Sequence, residues 1–255
     1  MCLVLIAYKA RPDSPLIIAA NRDEFHGRPT RPAAFWDDHP DILGGRDLLH
    51  GGTWLAVDRR GRLAAVTNYR EPAEPQPNLR SRGFLITDYL TGGAAPLAYL
   101  TDLAGRVREY DGFNIFVGDA TALYSYCSYL QQPGILPAGI HGISNGDLDY
   151  PWPKVTRGKQ ALQALAAVGS RVEPESLFQI LRDRTVPDGA GLPATGVGVQ
   201  LERMLAPIFV TGKDYGTRSS TVLIMKRDGH VYFAERSFGP AGELTKTVEY
   251  KFRIE

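Results

Sequence analysis

Met1-Cys-Leu-Val-Leu-Ile-Ala-Tyr8 and, one turn later, Leu16-Ile-Ile-Ala-Ala-Asn-Arg-Asp-Glu24 decide how the rest of this chain is read. Each holds a short apolar run bounded by turn residues, the pattern of a buried strand, and Leu16 to Ala20 lies close enough after Cys2 to Tyr8 to pair with it as a hairpin. The first run is too short to cross a membrane, lacks a basic leader and meets charged Arg11 and Asp13, so it is read neither as a signal peptide nor as an integral membrane segment. The second run ends in four polar residues, Asn21 to Glu24. A polar cluster at a strand end either displays binding groups on a rigid scaffold or is a solvated turn, and the two acids and one base in succession leave both readings open.

Working outward, Thr53 to Val57 and Leu63 to Tyr69 form a second hairpin across Asp58-Arg-Arg-Gly-Arg62. Pro72, Pro75 and Pro77 make Glu71 to Pro77 a loop. Helix is expected from Phe84 to Leu90 and from Pro96 to Glu109, where Leu97, Leu100, Leu103 and Val107 recur every three to four residues. Strand character returns at Phe113 to Val117 and Leu123 to Tyr129, and Pro133 to Ile143 leads into a Gly- and Pro-rich connector ending near Pro153. A second helical pair follows, Val155 to Val168 and Pro174 to Arg184, the latter opening on proline. Residues 185 to 207 are expected to be irregular, a candidate mobile lid. Ser220 to Lys226 and His230 to Glu235 flank Arg227-Asp-Gly229, whose Asp-Gly suits a tight hairpin turn, and Val248 to Ile254 adds a last strand. Strands, two helices, strands, two helices and strands suit two sheets between helical layers better than a doubly wound parallel sheet.

At 255 residues, one domain spanning 1–255 is the expectation. Hydrophobic residues at 44% and charged residues at 22% are ordinary globular values, which removes disorder and fibrous repeats. Lys plus Arg number 29 against 28 Asp plus Glu, so there is no basic field to attract nucleic acid. Two cysteines, Cys2 and Cys127, are too few for a disulfide framework or a four-ligand zinc site and fit a reducing compartment, so the chain is expected to be cytoplasmic.

No phosphate-loop motif is present, and Gly196-Val-Gly198 lacks the third glycine of a dinucleotide fingerprint. Asp37-Asp38-His39-Pro40-Asp41 has metal-ligand residue types but reads as a solvated acidic turn, and no metal is expected. Cys2 stands out. Trimming of Met1 would place a thiol and a free α-amino group on one residue, with reference pKa values of about 8.5 and about 8, so that the amine could take the thiol proton near neutral pH. Position alone favours Cys2 as a small hydrophobe opening a strand.

Cys2, Asn21-Arg-Asp-Glu24, Gly51-Gly-Thr-Trp-Leu55, Thr67-Asn-Tyr-Arg70, Ser81-Arg-Gly83, Gly112-Phe-Asn-Ile115, Ser144-Asn-Gly146, Pro151-Trp-Pro-Lys154 and Tyr215-Gly-Thr-Arg-Ser-Ser220 occur in that order. In them the chain resembles, nearly end to end, the NRDE family, that of transport and Golgi organisation protein 2. That family is in turn similar to the penicillin acylase and bile salt hydrolase branch of N-terminal-nucleophile enzymes. The resemblance implies an α+β, four-layer αββα sandwich with Cys2 as nucleophile. It implies that Arg22 with Asp23 or Glu24, or Asn21 with Glu24, orients the nucleophile, Asp23 being ranked ahead. Asn68 resembles the oxyanion-hole asparagine, Asn145 a second asparagine at the nucleophile's amine, and Arg218 a late arginine of the branch. Asn21, Glu24, Gly51, Gly52, Trp54, Tyr69 and Arg70 are expected to shape a ligand pocket, with glycines permitting close backbone approach and Trp54 as an apolar wall. Two functions stay open: cleavage or handling of acyl amides or thioesters such as acyl-coenzyme A, with no cofactor required, and reversible carriage of haem or an acyl-coenzyme A, with haem as cargo.

Overall fold

The computed structural model describes residues 2–70, 79–167, 169, 171–188, 192–193 and 195–255. Strands β1 (Cys2–Tyr8) and β2 (Leu16–Phe25) do pair as a hairpin. The second strand runs past Ala20 to Phe25, so Asn21 to Glu24 lie inside the sheet rather than at its end, and Asn21, Arg22 and Asp23 are buried. The reason is that β11 (Tyr215–Met225) pairs with β2 as far as Phe25, while β1 covers its other edge as far as Arg22.

β3 (Thr30–Phe35) and β4 (Ile42–Asp47), joined through the acidic turn Asp37 to Asp41, were not expected. Pro32 and the Gly44-Gly45 pair hide both from a periodicity reading. Then come β5 (Leu55–Asp58), β6 (Leu63–Asn68), helices α1 (Gly83–Thr91) and α2 (Pro96–Gly105), β7 (Phe113–Gly118), β8 (Leu123–Cys127), the short β9 (Gly134–Ile135) and β10 (Gly139–Ile143). The expected helix to Glu109 stops at Gly105, with a separate single turn of 3-10 helix at Val107–Glu109. α3 (Pro153–Ala167) and α4 (Pro174–Leu181) follow, and a helix not foreseen, α5 (Val199–Leu205), occupies part of the stretch expected to be irregular. β11, β12 (His230–Phe238) and β13 (Leu244–Arg253) complete the chain. The proline-rich loop expected at 71–77, the helix end at 168, and Gly189 and Gly191 lie outside the described residues.

Two antiparallel sheets result, in the orders β10-β1-β2-β11-β12-β13 and β3-β4-β5-β6-β7-β8-β9. Their facing sides share one core, in which Val4, Ile6 and Ile18 meet Leu55, Leu63 and Phe116. The alternate residues Leu3, Leu5 and Ile17 pack outward on Val155 and Leu162 of α3 and on Leu177 and Phe178 of α4. Ala64, Ile115 and Val117 pack outward on Leu85, Ile86 and Tyr89 of α1 and on Leu100 and Leu103 of α2. The fold is thus the α+β, four-layer αββα sandwich. Burial of these alternating faces, at about 25 cal/mol per Å² of apolar surface, is what assembles the layers.

A buried carboxyl also crosses the inner layer. Glu235 on β12 follows Val231 and Phe233 on the core side, accepts the Ala33 amide of β3 at 2.8 Å and the Thr221 hydroxyl at 3.2 Å, and so ties the sheets together. Burial pushes its carboxyl up to about 7 from an ordinary 4.5. The unfolded chain therefore releases this proton first. The stability it lends is full below about pH 4.5 and is lost as pH rises through 7, by up to about 3 kcal/mol. Glu235→Gln, a neutral isostere, is expected to flatten that fall. Urea midpoints at pH 5 and pH 8 would check it, and an unchanged drop in the variant would refute the assignment.

Candidate functional site

Cys2 opens β1 directly opposite Arg22 of β2, and Arg22 in turn stands opposite Ser219 of β11. By strand alternation Cys2 and Arg22 belong to the face of Val4, Ile6, Ile18 and Ala20, toward the second sheet. Ser144, just past β10, donates its hydroxyl to the Cys2 carbonyl at 2.8 Å and fixes the end of the strand. Cys2 keeps part of its surface open, on a cleft of about 110 Å³ that it shares with Arg22, Asp23, Glu24, Arg28, Asp47, Trp54, Asn68 and Arg82, among others. The cleft lies where the polar end of β2 meets the ends of β4 and β6 and the start of α1.

The Arg22 guanidinium stacks 4.3 Å from the Trp54 ring, donates to the Thr30 hydroxyl at 3.2 Å and lies 3.8 Å from the Glu24 carboxylate. Stacking and hydrogen bonding together hold a buried cation beside the thiol. Burial pushes the Cys2 thiol above its usual range, while the positive charge of Arg22 works to bring it down. Asp23 points to the other side of the sheet. It accepts the Thr217 hydroxyl at 2.7 Å, and burial pushes its carboxyl up against the pull of Lys154. Lys154, in the first turn of α3, is buried, donates to the Leu205 carbonyl at 3.1 Å and is pushed down by burial despite the charge of Asp23. Behind the thiol there is thus a buried acid and base whose charged forms are both disfavoured by desolvation.

Of the other residues singled out from sequence, Glu24 lines the cleft and lies 3.8 Å from both Arg22 and Arg28. Asn21 faces away, its amide donating to the Leu181 and Ile208 carbonyls at 2.8 and 2.9 Å while its oxygen accepts the Ser220 hydroxyl. Asn145 is joined to the cleft through the backbone: its amide donates to the Asn68 carbonyl at 2.8 Å and its oxygen lies 3.2 Å from the Ser144 hydroxyl. Arg218 sits at a β-bulge between Thr217 and Ser219, and the bulge re-aims it. Its guanidinium donates to the Phe25, His26 and Arg28 carbonyls, so it closes the turn after β2 and stands outside the lining of the Cys2 cleft.

Gly52 does provide close approach. A side chain there would meet the Gly83 backbone at 2.6 Å, so this glycine lets α1 begin against the Gly51–Thr53 turn. Gly51 itself, at φ 79°, makes that turn and lines a separate pocket with Arg46. Tyr69 and Arg70 line a wider groove of about 780 Å³ with Asn145, Tyr150 and Trp152. There Arg70 bonds to Thr195 and to Glu202 of α5 at 2.7 and 2.8 Å, which ties the described part of the candidate lid to the groove wall.

Arg28, Asp47, Arg82 and Lys154 were missed as site residues. Arg82 and Lys154 fall inside family-like blocks that signalled their importance without a role. Arg28 and Asp47, paired at 2.6 Å, carry no local signal because the strand pairing of β3 and β4 brings them in. Among the described residues, no group of three or more His, Cys, Asp or Glu could hold a metal ion, and no helix is long and apolar enough to cross a membrane. Arg22→Gln is expected to remove one of the positive charges that lower the thiol and to slow iodoacetamide alkylation of Cys2 at pH 8 about threefold, with the pH profile displaced upward. A profile identical to wild type would show that Arg22 does not act on the thiol.

Residues 1–240 match the model of the family described as Transport and Golgi organisation 2. The chain is 36% identical over 276 residues to the Transport and Golgi organization protein 2 homolog of Bos taurus, covering 100% of both. It is 37% identical over 257 residues to the Homo sapiens homolog, covering 93% of each. Among solved structures, it is similar to the Caenorhabditis elegans ortholog of N-acylethanolamine-hydrolyzing acid amidase, at 12% identity and a TM-score of 0.44, covering 88% of this chain and 92% of that one. A mutant conjugated bile acid hydrolase from Clostridium perfringens matches at 10% identity and a TM-score of 0.42, over 99% and 97%. On the family match and the identities along nearly the whole chain, this protein belongs to the Transport and Golgi organisation 2 family.

Proposed function

We propose that the chain acts on acyl amides or thioesters, of which acyl-coenzyme A is one example, with Cys2 as nucleophile once Met1 has been removed. The observation that carries this reading is the register that sets Cys2 against the stacked cation Arg22, in a cleft that Asn68 also lines. The α-amino group of Cys2 takes the thiol proton, and the sulfur forms a bond to the acyl carbon. The charge that develops on the acyl oxygen is met by the Asn68 amide. Collapse breaks the bond to the amine or thiol leaving group, which receives the proton held by the α-ammonium. Water then attacks the acyl-enzyme, the amine taking its proton, and restores the free thiol.

The second reading is reversible carriage of haem or an acyl-coenzyme A without cleavage. It draws on the groove of about 780 Å³, whose wall includes Tyr69, Tyr150 and Trp152, surfaces suited to a flat or bulky ligand.

Three measurements separate the readings. Intact mass of protein from a native host is expected to lack Met1, and retention of Met1 would end the hydrolase mechanism. With a panel of acyl thioesters and anilides, Cys2→Ala is expected to abolish turnover and Asn68→Ala to lower kcat roughly a hundred- to thousand-fold. Carriage instead predicts no acyl-enzyme, and for haem a shifted Soret band on titration.

A further inference from the structure

The arginines around the Cys2 cleft are not equivalent. Arg28 is paired with Asp47 at 2.6 Å, and Arg22 is stacked on Trp54 with Glu24 at 3.8 Å. Asp23, the remaining carboxylate in the lining, is turned toward Thr217 and Lys154. Arg82 is left. Among the described residues its one hydrogen bond is from a guanidinium N–H to the Gly112 carbonyl at 3.0 Å, and no carboxylate forms an ion pair with it. Elsewhere the partly buried arginines Arg46, Arg62 and Arg70 each hold a carboxylate at 2.8 Å. Burial lowers the pKa of Arg82, with Asp111 and Glu24 acting only at longer range. A guanidinium has five donors in a rigid fork, and desolvating one without a counterion is unfavourable unless an anion arrives to complete it.

Arg82 is also placed by backbone constraint rather than by a free surface side chain's choice. Gly83 packs on Gly52, which seats Ser81 to Gly83 in the wall of the cleft that Cys2 and Asn68 also line. At about 110 Å³ the cleft admits only a compact group beside the thiol.

We propose that Arg82 receives a compact anionic substituent of the substrate, a carboxylate or a phosphate, and thereby positions the adjoining acyl group over Cys2. The inference rests on the acyl reading above for what the anion is attached to, and it adds the substrate class: acyl compounds with a negative charge near the scissile bond. A bidentate contact to Arg82 would use the fork that Gly112 leaves open, while Arg28 and Arg22 remain committed to their own partners.

The test uses charge-matched alkylating agents on the whole protein, with modification read by mass on the Cys2 peptide so that Cys127 does not contribute. At constant pH and ionic strength, the ratio of iodoacetate to iodoacetamide rates at Cys2 is expected to exceed that of free cysteine about tenfold. Arg82→Gln is expected to return the ratio to the free-cysteine value while changing the iodoacetamide rate less than about twofold, and Arg82→Lys to keep part of the preference. Millimolar acetate or inorganic phosphate is added as a protecting ion, and whichever slows iodoacetate in the wild type but not in Arg82→Gln identifies the preferred anion. A wild-type ratio equal to that of free cysteine overturns the proposal without need of any variant. Equal loss of both rates in Arg82→Gln also overturns it, because Arg82 would then act on the thiol and not on the incoming anion. Since no turnover is measured, an anion preference found in a protein that cleaves no acyl compound would count against the acyl reading and leave the Arg82 site standing.

Discussion

Everything at the functional end of this molecule depends on burying three consecutive polar residues, Asn21 to Asp23, within a strand. Asn21 and Arg22 are flanked by β1 and β11 and Asp23 by β11, so each of these buried side chains has to find its partners across the layers rather than in water. Strand alternation sends Arg22 and Glu24 toward the second sheet and Asn21 and Asp23 toward the helices. Asn21 is satisfied by the Leu181 and Ile208 carbonyls, Asp23 by Thr217 with Lys154 near it, and Arg22 by Trp54 and Thr30. Leaving any of these buried groups unmade costs about 1–3 kcal/mol or more. The chain segments around α3, α4 and the stretch before β11 are therefore held against the back of the nucleophile strand by polar contacts as well as by apolar packing.

The same constraint explains why the cleft is small and charged while its neighbour is broad and aromatic. The cleft is the gap left where the polar end of β2 meets the glycine contact between Gly52 and Gly83, with no apolar side chain but Trp54 and Val66 to widen it. The groove forms one residue further along, where Tyr69 and Arg70 leave β6 and face Tyr150 and Trp152. Asn145 links the two, since its side chain bonds to the Asn68 carbonyl and its own carbonyl accepts the Arg70 amide at 2.8 Å. The groove wall continues through the Arg70 to Glu202 pair into α5.

The layer order was legible because it rests on periodicity, and periodicity is local. Short apolar runs bounded by turn residues gave β1, β6 and β7, the Asp-Gly turn gave the β11 to β12 hairpin, and three- to four-residue spacing gave α2. Failures came where local composition and tertiary environment disagree. β3 contains Pro32 and β4 two glycines, and both are strands only because neighbours pair with them. α5 carries exposed Val199 and Leu201 and is held by Glu202, which faces Arg70 across the groove, a contact no window of sequence contains.

What the sequence by itself determined is the family, through blocks of residues in matching order, and two sheets between helical layers, through the order of strand-like and helix-like runs. What only the tertiary structure decided is which way the remaining groups point. The bulge at Arg218 turns that arginine onto the carbonyls of the β2 turn, Asn145 spends its amide on the Asn68 backbone, and Arg82, Arg28, Asp47 and Lys154 reach the site from four different elements. Side-chain direction at a bulge and pairing between distant segments are set by which buried polar groups must be satisfied together, and that is a property of the assembled layers, not of any stretch of chain.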